Sequence, residues 1–89
     1  MKLYEEIENC FTIIEEIFTE ETLLEFKNTP ISDLGFYHLG LGMWIRNNLL
    51  SLEESRLYGL FLENGVENPD DMSCLIIKLF HYYLSKKTC

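Results

Sequence analysis

The sequence lacks the features that mark small disulfide-rich, metal-binding or membrane domains. Its three cysteines are widely spaced and include no Cys-x-x-Cys pair, so neither a disulfide framework nor a zinc site is indicated. No apolar run approaches the roughly 18 residues of a membrane-spanning helix. We therefore expect a protein without metal or cofactor that works in a reducing, cytoplasmic setting.

Positive charge is also scarce. Lysine and arginine together number 7, against 15 aspartates and glutamates, which gives a net charge of −8. An acidic field repels phosphate and anionic lipid and favours encounter with cationic partners. We expect no direct binding to nucleic acid or to a membrane.

No stretch shows the alternation of a β-strand, and we find no internal repeat, low-complexity tract or long linker. At 89 residues and 47% hydrophobic, the chain can bury an independent core. The fold class predicted is all-α, a compact bundle of about five helices in a single domain over residues 1–89.

Local signals mark the first two helices. Apolar residues recur every three or four positions from Leu3 to Phe18, which predicts an amphipathic helix. Thr19 then precedes two glutamates and is a suitable N-cap for a short second helix ending near Asn28. Pro30 prevents that helix from continuing.

A third helix is predicted over residues 32–48, with Ser32 or Asp33 as its cap. Three glycines lie inside it: Gly35, Gly40 and Gly42. Each costs about 1 kcal/mol relative to alanine in a helix interior. Either the neighbouring backbone packs closely against the first and last of them, or the helix breaks around the second.

The last two helices have clear boundaries. Ser51 and Glu54 have the spacing of a capping box, and Gly65 is a suitable left-handed stop for the fourth helix. Asn68 is the predicted cap of the fifth helix, with Pro69 at its first position.

One face of the first helix is strongly acidic. Residues 1–26 hold eight glutamates against Lys2 alone, a local balance of −7. We call the outward-facing set the acidic face; it consists of Glu5, Glu8, Glu15 and Glu16. It is either a solvated surface or the binding surface for a basic partner protein.

The stretch HLGLGMWIRNN, residues 38–48, combines polar and aromatic residues in a helical pattern. A buried Arg46 needs a carboxylate partner, and the candidates are Asp70, Asp71, Asp33 and Glu54. With Asn47 and Asn48 it forms either an internal polar network or a pocket. The candidate pocket residues are His38, Trp44, Arg46, Asn47 and Asp70.

Two motifs resemble those of a small bacterial domain family of unknown function. They are His-x-Gly-Leu-Gly-Met-Trp-Ile-Arg-Asn-Asn, here His38–Asn48, and Pro-Asp-Asp-Met-Ser, here Pro69–Ser73. The likeness runs from about Phe36 to Tyr83. It implies no established activity and supplies no catalytic residues. It does imply that the motifs meet, with Arg46 near Asp70 or Asp71.

Three hypotheses follow for function. The sequence holds no constellation specific enough for an enzyme, and the first hypothesis is a non-enzymatic protein-binding module, such as an immunity protein or a phage or bacterial inhibitor. It would occlude a basic partner through the acidic face. The second is a small-ligand or catalytic pocket around Arg46. The third is a structural homodimer formed through surplus apolar residues, namely Phe36, Met43, Leu62 and Ile77.

Overall fold

The structure, a computed structural model, describes residues 2–37, 39–50 and 56–87. Over these residues the chain is entirely helical and loop, with five α-helices, one 3₁₀ helix and no strand. They are α1 (Lys2–Glu16), α2 (Glu20–Lys27), the 3₁₀ helix η1 (Ile31–Tyr37), α3 (Leu41–Asn48), α4 (Arg56–Glu63) and α5 (Pro69–Lys87). The all-α prediction is confirmed, with one helical segment more than expected. None of these helices is both long and apolar enough to cross a membrane.

The last helix, α5, is the element against which most of the others pack. It contacts α1, α2, η1 and α3, while α4 packs on α1. Its buried side chains lie along one stripe: Met72, Ser73, Ile76, Ile77, Phe80 and Leu84. Burying that stripe drives the packing of the other elements against α5.

Aromatic rings fill the core where α1, α2 and α5 meet. The Phe80 ring lies 5.7 Å from Phe11, 5.6 Å from Phe26 and 6.1 Å from Phe18, measured between ring centroids. On its far side, Phe26 meets Tyr37 of η1 edge-on at 4.7 Å. Such ring pairs contribute about 0.5–1.5 kcal/mol beyond the area they bury. The cluster thus holds four elements together.

The predicted starts of α2 and α5 are confirmed. The Thr19 hydroxyl accepts the Thr22 N–H at 3.1 Å, and the Thr22 hydroxyl accepts the Thr19 N–H at 2.9 Å, which completes a reciprocal capping box. In α5, the side-chain oxygen of Asn68 accepts the Asp70 N–H at 2.9 Å. Pro69 is the first residue of that helix.

The predicted end of α4 is confirmed as well. Gly65 has a φ of 83°, and the N–H of Val66 reaches back to the Phe61 carbonyl at 2.9 Å. The Gly65 N–H donates to the Leu62 carbonyl at 3.1 Å, so the two bonds together form a Schellman motif. The capping box predicted at Ser51 and Glu54 lies outside the described residues.

The continuous third helix predicted over residues 32–48 is wrong. The chain forms η1 first and starts α3 only at Leu41, with Gly40 as an N-cap that supplies no side-chain bond. Neither Ser32 nor Asp33 therefore caps α3. A Cβ at Gly35 would meet nothing within 4 Å, so close packing does not explain that glycine, whereas Gly42, the other glycine of that alternative, is buried. The other alternative, a break of the helix around Gly40, is confirmed. Glycines weaken an α-helix at that point.

Gly59, inside α4, and Gly65, just after its end, should respond oppositely to alanine. Gly59 lies in the helix with open space around its Cβ position, so Gly59→Ala should raise the free energy of unfolding by about 0.5–1 kcal/mol. Gly65→Ala should lower it by about 1–2 kcal/mol, because its φ disfavours a side chain. Urea denaturation followed by circular dichroism measures both. Equal effects of the two changes would contradict this assignment.

Candidate functional site

Arg46 joins α3 to the first turn of α5. Its Nη1 lies 3.3 Å from Oδ1 of Asp70 and donates to the Ser73 hydroxyl at 3.2 Å. That hydroxyl in turn donates to the Asp70 carbonyl at 3.0 Å, and Ser73 is fully buried. We call these three residues the Arg46 clamp. It brings the two sequence motifs together.

The clamp is closed by the protein's own groups. The Arg46 side chain is 20% exposed, whereas the Asp70 side chain is 58% exposed. A carboxylate and a hydroxyl both partner Nη1 of the guanidinium, as a half-buried charge requires. This geometry favours a structural role for Arg46 over a vacant ligand pocket.

The other residues predicted for the polar network do not join the clamp. Trp44 is half-buried and packs against the core. Asn48 donates from its side chain to the Trp44 carbonyl at 2.9 Å, a bond within its own helix. Asn47 and Asp71 are exposed. His38 lies outside the described residues, so the structure does not place it.

The acidic face on α1 points away from the core. Glu5, Glu8 and Glu16 are exposed, and Glu15 is half-buried. Leu3, Ile7, Phe11 and Ile14 form the buried side of the same helix. Helical periodicity therefore separates carboxylates from core residues as predicted.

A groove extends the acidic face where α1 ends and α2 begins. Its volume is about 350 Å³. We call it the acidic groove; its lining residues are Thr12, Glu15, Glu16, Phe18, Thr19, Glu20 and Leu23. Three carboxylates thus surround a partly apolar floor. The groove lies at the turn over residues 17–19, between the end of α1 and the start of α2.

One ion pair secures α1 to α4. Nε of Arg56 lies 3.2 Å from Oε1 of Glu6, and the Arg56 side chain is 73% exposed. The contact uses a carboxylate on a different flank of α1 from the acidic face. The pair therefore leaves the charge of the acidic face in place.

The described residues offer little for nucleophilic or metal chemistry. The Cys10 thiol donates to the Glu6 carbonyl at 3.3 Å. Burial, and next the charge of Glu6, raises the pKa of that thiol, which disfavours the reactive thiolate. No three metal-ligating side chains come together within residues 2–37, 39–50 and 56–87.

The apolar residues predicted as a dimer surface are not all available. Phe36, Met43 and Leu62 are exposed, at 83%, 49% and 44%. Ile77, in contrast, is only 3% exposed and belongs to the core. It is buried because η1 packs against that flank of α5, a contact between distant segments. Its place in the predicted surface is therefore wrong.

Two further polar residues join distant elements without a clear sequence signal. Ser73 completes the clamp, although a serine inside a helix is unremarkable in a sequence. Nε2 of His81 lies 2.8 Å from the Thr29 carbonyl, and its ring meets Phe26 edge-on. His81 therefore ties α5 to the end of α2.

Fold and contacts together define a small all-α protein whose two distinctive motifs meet in a structural clamp. The chain belongs to the family described as Domain of unknown function (DUF6794), which matches residues 5–84. That match covers more of the chain than the stretch containing the two motifs. No curated protein and no solved structure matches the chain.

The clamp should contribute more to stability than the surface ion pair. Arg46→Met should lower the free energy of unfolding by about 1–2 kcal/mol, because buried Ser73 loses a partner. The matched change Arg56→Met should cost less than about 0.5 kcal/mol, since that pair is largely solvated. Urea denaturation gives both values. A smaller loss for Arg46→Met than for Arg56→Met would refute the structural role.

Proposed function

We propose that this protein is a non-enzymatic protein-binding module that occludes a basic surface of a partner, as an immunity protein or an inhibitor does. The acidic groove and the adjoining acidic face form its binding surface. The observation that carries the proposal is this groove, in which carboxylates of α1 and α2 surround an apolar floor. The partner is a cytoplasmic protein of bacterial or phage origin.

Charge gives this surface its selectivity. Glu16 and Glu20 are exposed on the two sides of the turn, so both reach an approaching cation. Exposed carboxylates attract a basic surface over about a Debye length and raise the association rate. With a net charge of −8, the whole chain adds to this attraction.

The floor of the groove supplies contacts that charge alone lacks. Phe18 and Leu23 are half-buried, so each retains apolar surface at the groove. The aliphatic stem of an arginine or lysine packs on such surface while its head meets a carboxylate. An arginine also stacks favourably on an aromatic ring. The groove therefore fits a basic side chain projecting from the partner.

The Arg46 clamp supports a protein-binding role over a pocket around Arg46. A ligand there would have to displace Asp70 or Ser73 from the guanidinium. We therefore assign Arg46, Asp70 and Ser73 to the scaffold and the acidic surface to binding.

Charge reversal in the groove tests this proposal. The partner is first identified by cross-linking and mass spectrometry, then purified, and its Kd is measured by calorimetry. Glu16→Lys with Glu20→Lys should weaken binding about tenfold or more and flatten its salt dependence.

The control changes net charge equally elsewhere on the surface. Glu63→Lys with Glu67→Lys alters exposed carboxylates outside the groove and should change the Kd less than about threefold. Circular dichroism verifies that both variants are folded. Equal weakening by both pairs of substitutions would mean that net charge, and not the groove, determines binding. Unchanged binding by the groove variant would refute the proposal.

A further inference from the structure

A second groove lies on another part of the molecule, between η1 and α5. Its volume is about 320 Å³, at the small end of the range for ligand sites. We call it the η1 groove; its lining residues are Ile31, Ser32, Leu34, Gly35, Cys74, Ile77 and Lys78. It shares no residue with the acidic groove or the Arg46 clamp.

One of the residues that line the η1 groove is a glycine. Gly35 is exposed, and a Cβ placed there would meet nothing within 4 Å. A larger residue at this lining position would therefore have room for its side chain. Ile31, on the same helix, is 71% exposed despite being apolar. The groove therefore has an exposed aliphatic side chain and an exposed glycine in its lining.

The lining combines an aliphatic wall with one charge. Ile31, Leu34 and Ile77 provide the wall, and Lys78 is the only ionisable cation among the lining residues. No described carboxylate forms an ion pair with Lys78. Lys78 is exposed, and it also lines a neighbouring pocket together with Glu67 and Asp71.

We propose that the η1 groove binds a small carboxylic acid with a short aliphatic chain. The chain packs against the wall formed by Ile31, Leu34 and Ile77, and the carboxylate pairs with Lys78. Lys78 is the only charged residue of this lining, so local charge complementarity favours a negatively charged head group even though the whole chain is acidic. The small volume limits the ligand to a few carbon atoms.

This ligand differs in charge from the partner proposed for the acidic groove. The two surfaces of one chain would thus select opposite charges, a cation at α1 and α2 and an anion at η1 and α5. A small acid bound at the η1 groove adds a ligand-binding activity to the protein-binding one. Neither proposal depends on the other.

Hexanoate is the probe, with hexylamine and hexan-1-ol as chain-matched comparisons. Each is titrated into the ¹⁵N-labelled full chain, and amide shifts are recorded by NMR. Hexanoate should shift amides of η1 and residues 74–78 and bind several-fold more tightly than the alcohol. Hexylamine should bind more weakly than the alcohol. Equal binding of all three, or shifts centred elsewhere, would overturn the proposal.

Two variants separate the wall from the charge. Gly35→Leu should fill the groove and abolish the hexanoate shifts, and Gly35→Ala serves as a smaller plug if the leucine variant is unstable. Lys78→Met keeps an apolar stem and should weaken hexanoate binding about fivefold. Hexanoate affinity unchanged by a folded Gly35 variant, or by Lys78→Met, contradicts the assigned site.

Lys86→Met is the matched charge control on the same helix. The Lys86 ammonium lies 5.2 Å from the centroid of the Tyr82 ring, away from the η1 groove. Its removal should leave the hexanoate Kd unchanged within about twofold. A loss equal to that of Lys78→Met would mean that net charge alone attracts the acid, and the proposed site would be wrong.

Discussion

Burial of the inward stripe of α5 is the constraint on which the rest of the structure depends. Phe80 lies at its centre and contacts phenylalanines from both α1 and α2. Those contacts position the end of α1 against the start of α2, and the acidic groove forms between these segments. The same helix contributes Ile77 and Lys78 to the lining of the η1 groove. The shapes of the acidic groove and the η1 groove therefore both depend on how α5 packs.

In the structure, residues of the two distinctive motifs join α3 to α5. Arg46 and Ser73 come from different motifs and meet only because α3 packs on α5. A charged residue emerging from a core needs its partners placed closely, which restricts the residues allowed at these positions. Exposed carboxylates carry no such requirement. A binding surface made of them therefore leaves a weaker signature in a sequence than the scaffold does.

Local chemistry made much of the fold predictable. The Thr19 cap, the Asn68-Pro69 start and the Gly65 stop each depend on residues within a few positions, and all three are present. The prediction of one continuous third helix is wrong because the apolar spacing suits an α-helix, whereas η1 is a more tightly wound 3₁₀ helix. The three glycines also weaken a continuous α-helix over this segment. The prediction that Ile77 is exposed is wrong because η1, which is distant in sequence, packs against that part of α5.

In the candidate sites too, features that depend on one helix are predictable from the sequence, and features that depend on two packed elements are not. Helical periodicity predicts the outward direction of Glu5, Glu8 and Glu16, since it depends on a single helix. The acidic groove and the η1 groove depend on how two elements meet, which the residues of either element do not specify. The contact between Arg46 and Ser73 also depends on how two helices pack, so the sequence does not indicate Ser73 as a partner of Arg46.

The most direct test of the central claim is amide hydrogen exchange of the complex with the purified partner. If the acidic surface binds and the motifs form the scaffold, protection on binding should concentrate at residues 12–23. Exchange at residues 41–48 and 69–73 should be unchanged. Protection centred on residues 41–48, with none near the acidic groove, would contradict the account and make the Arg46 region the binding site.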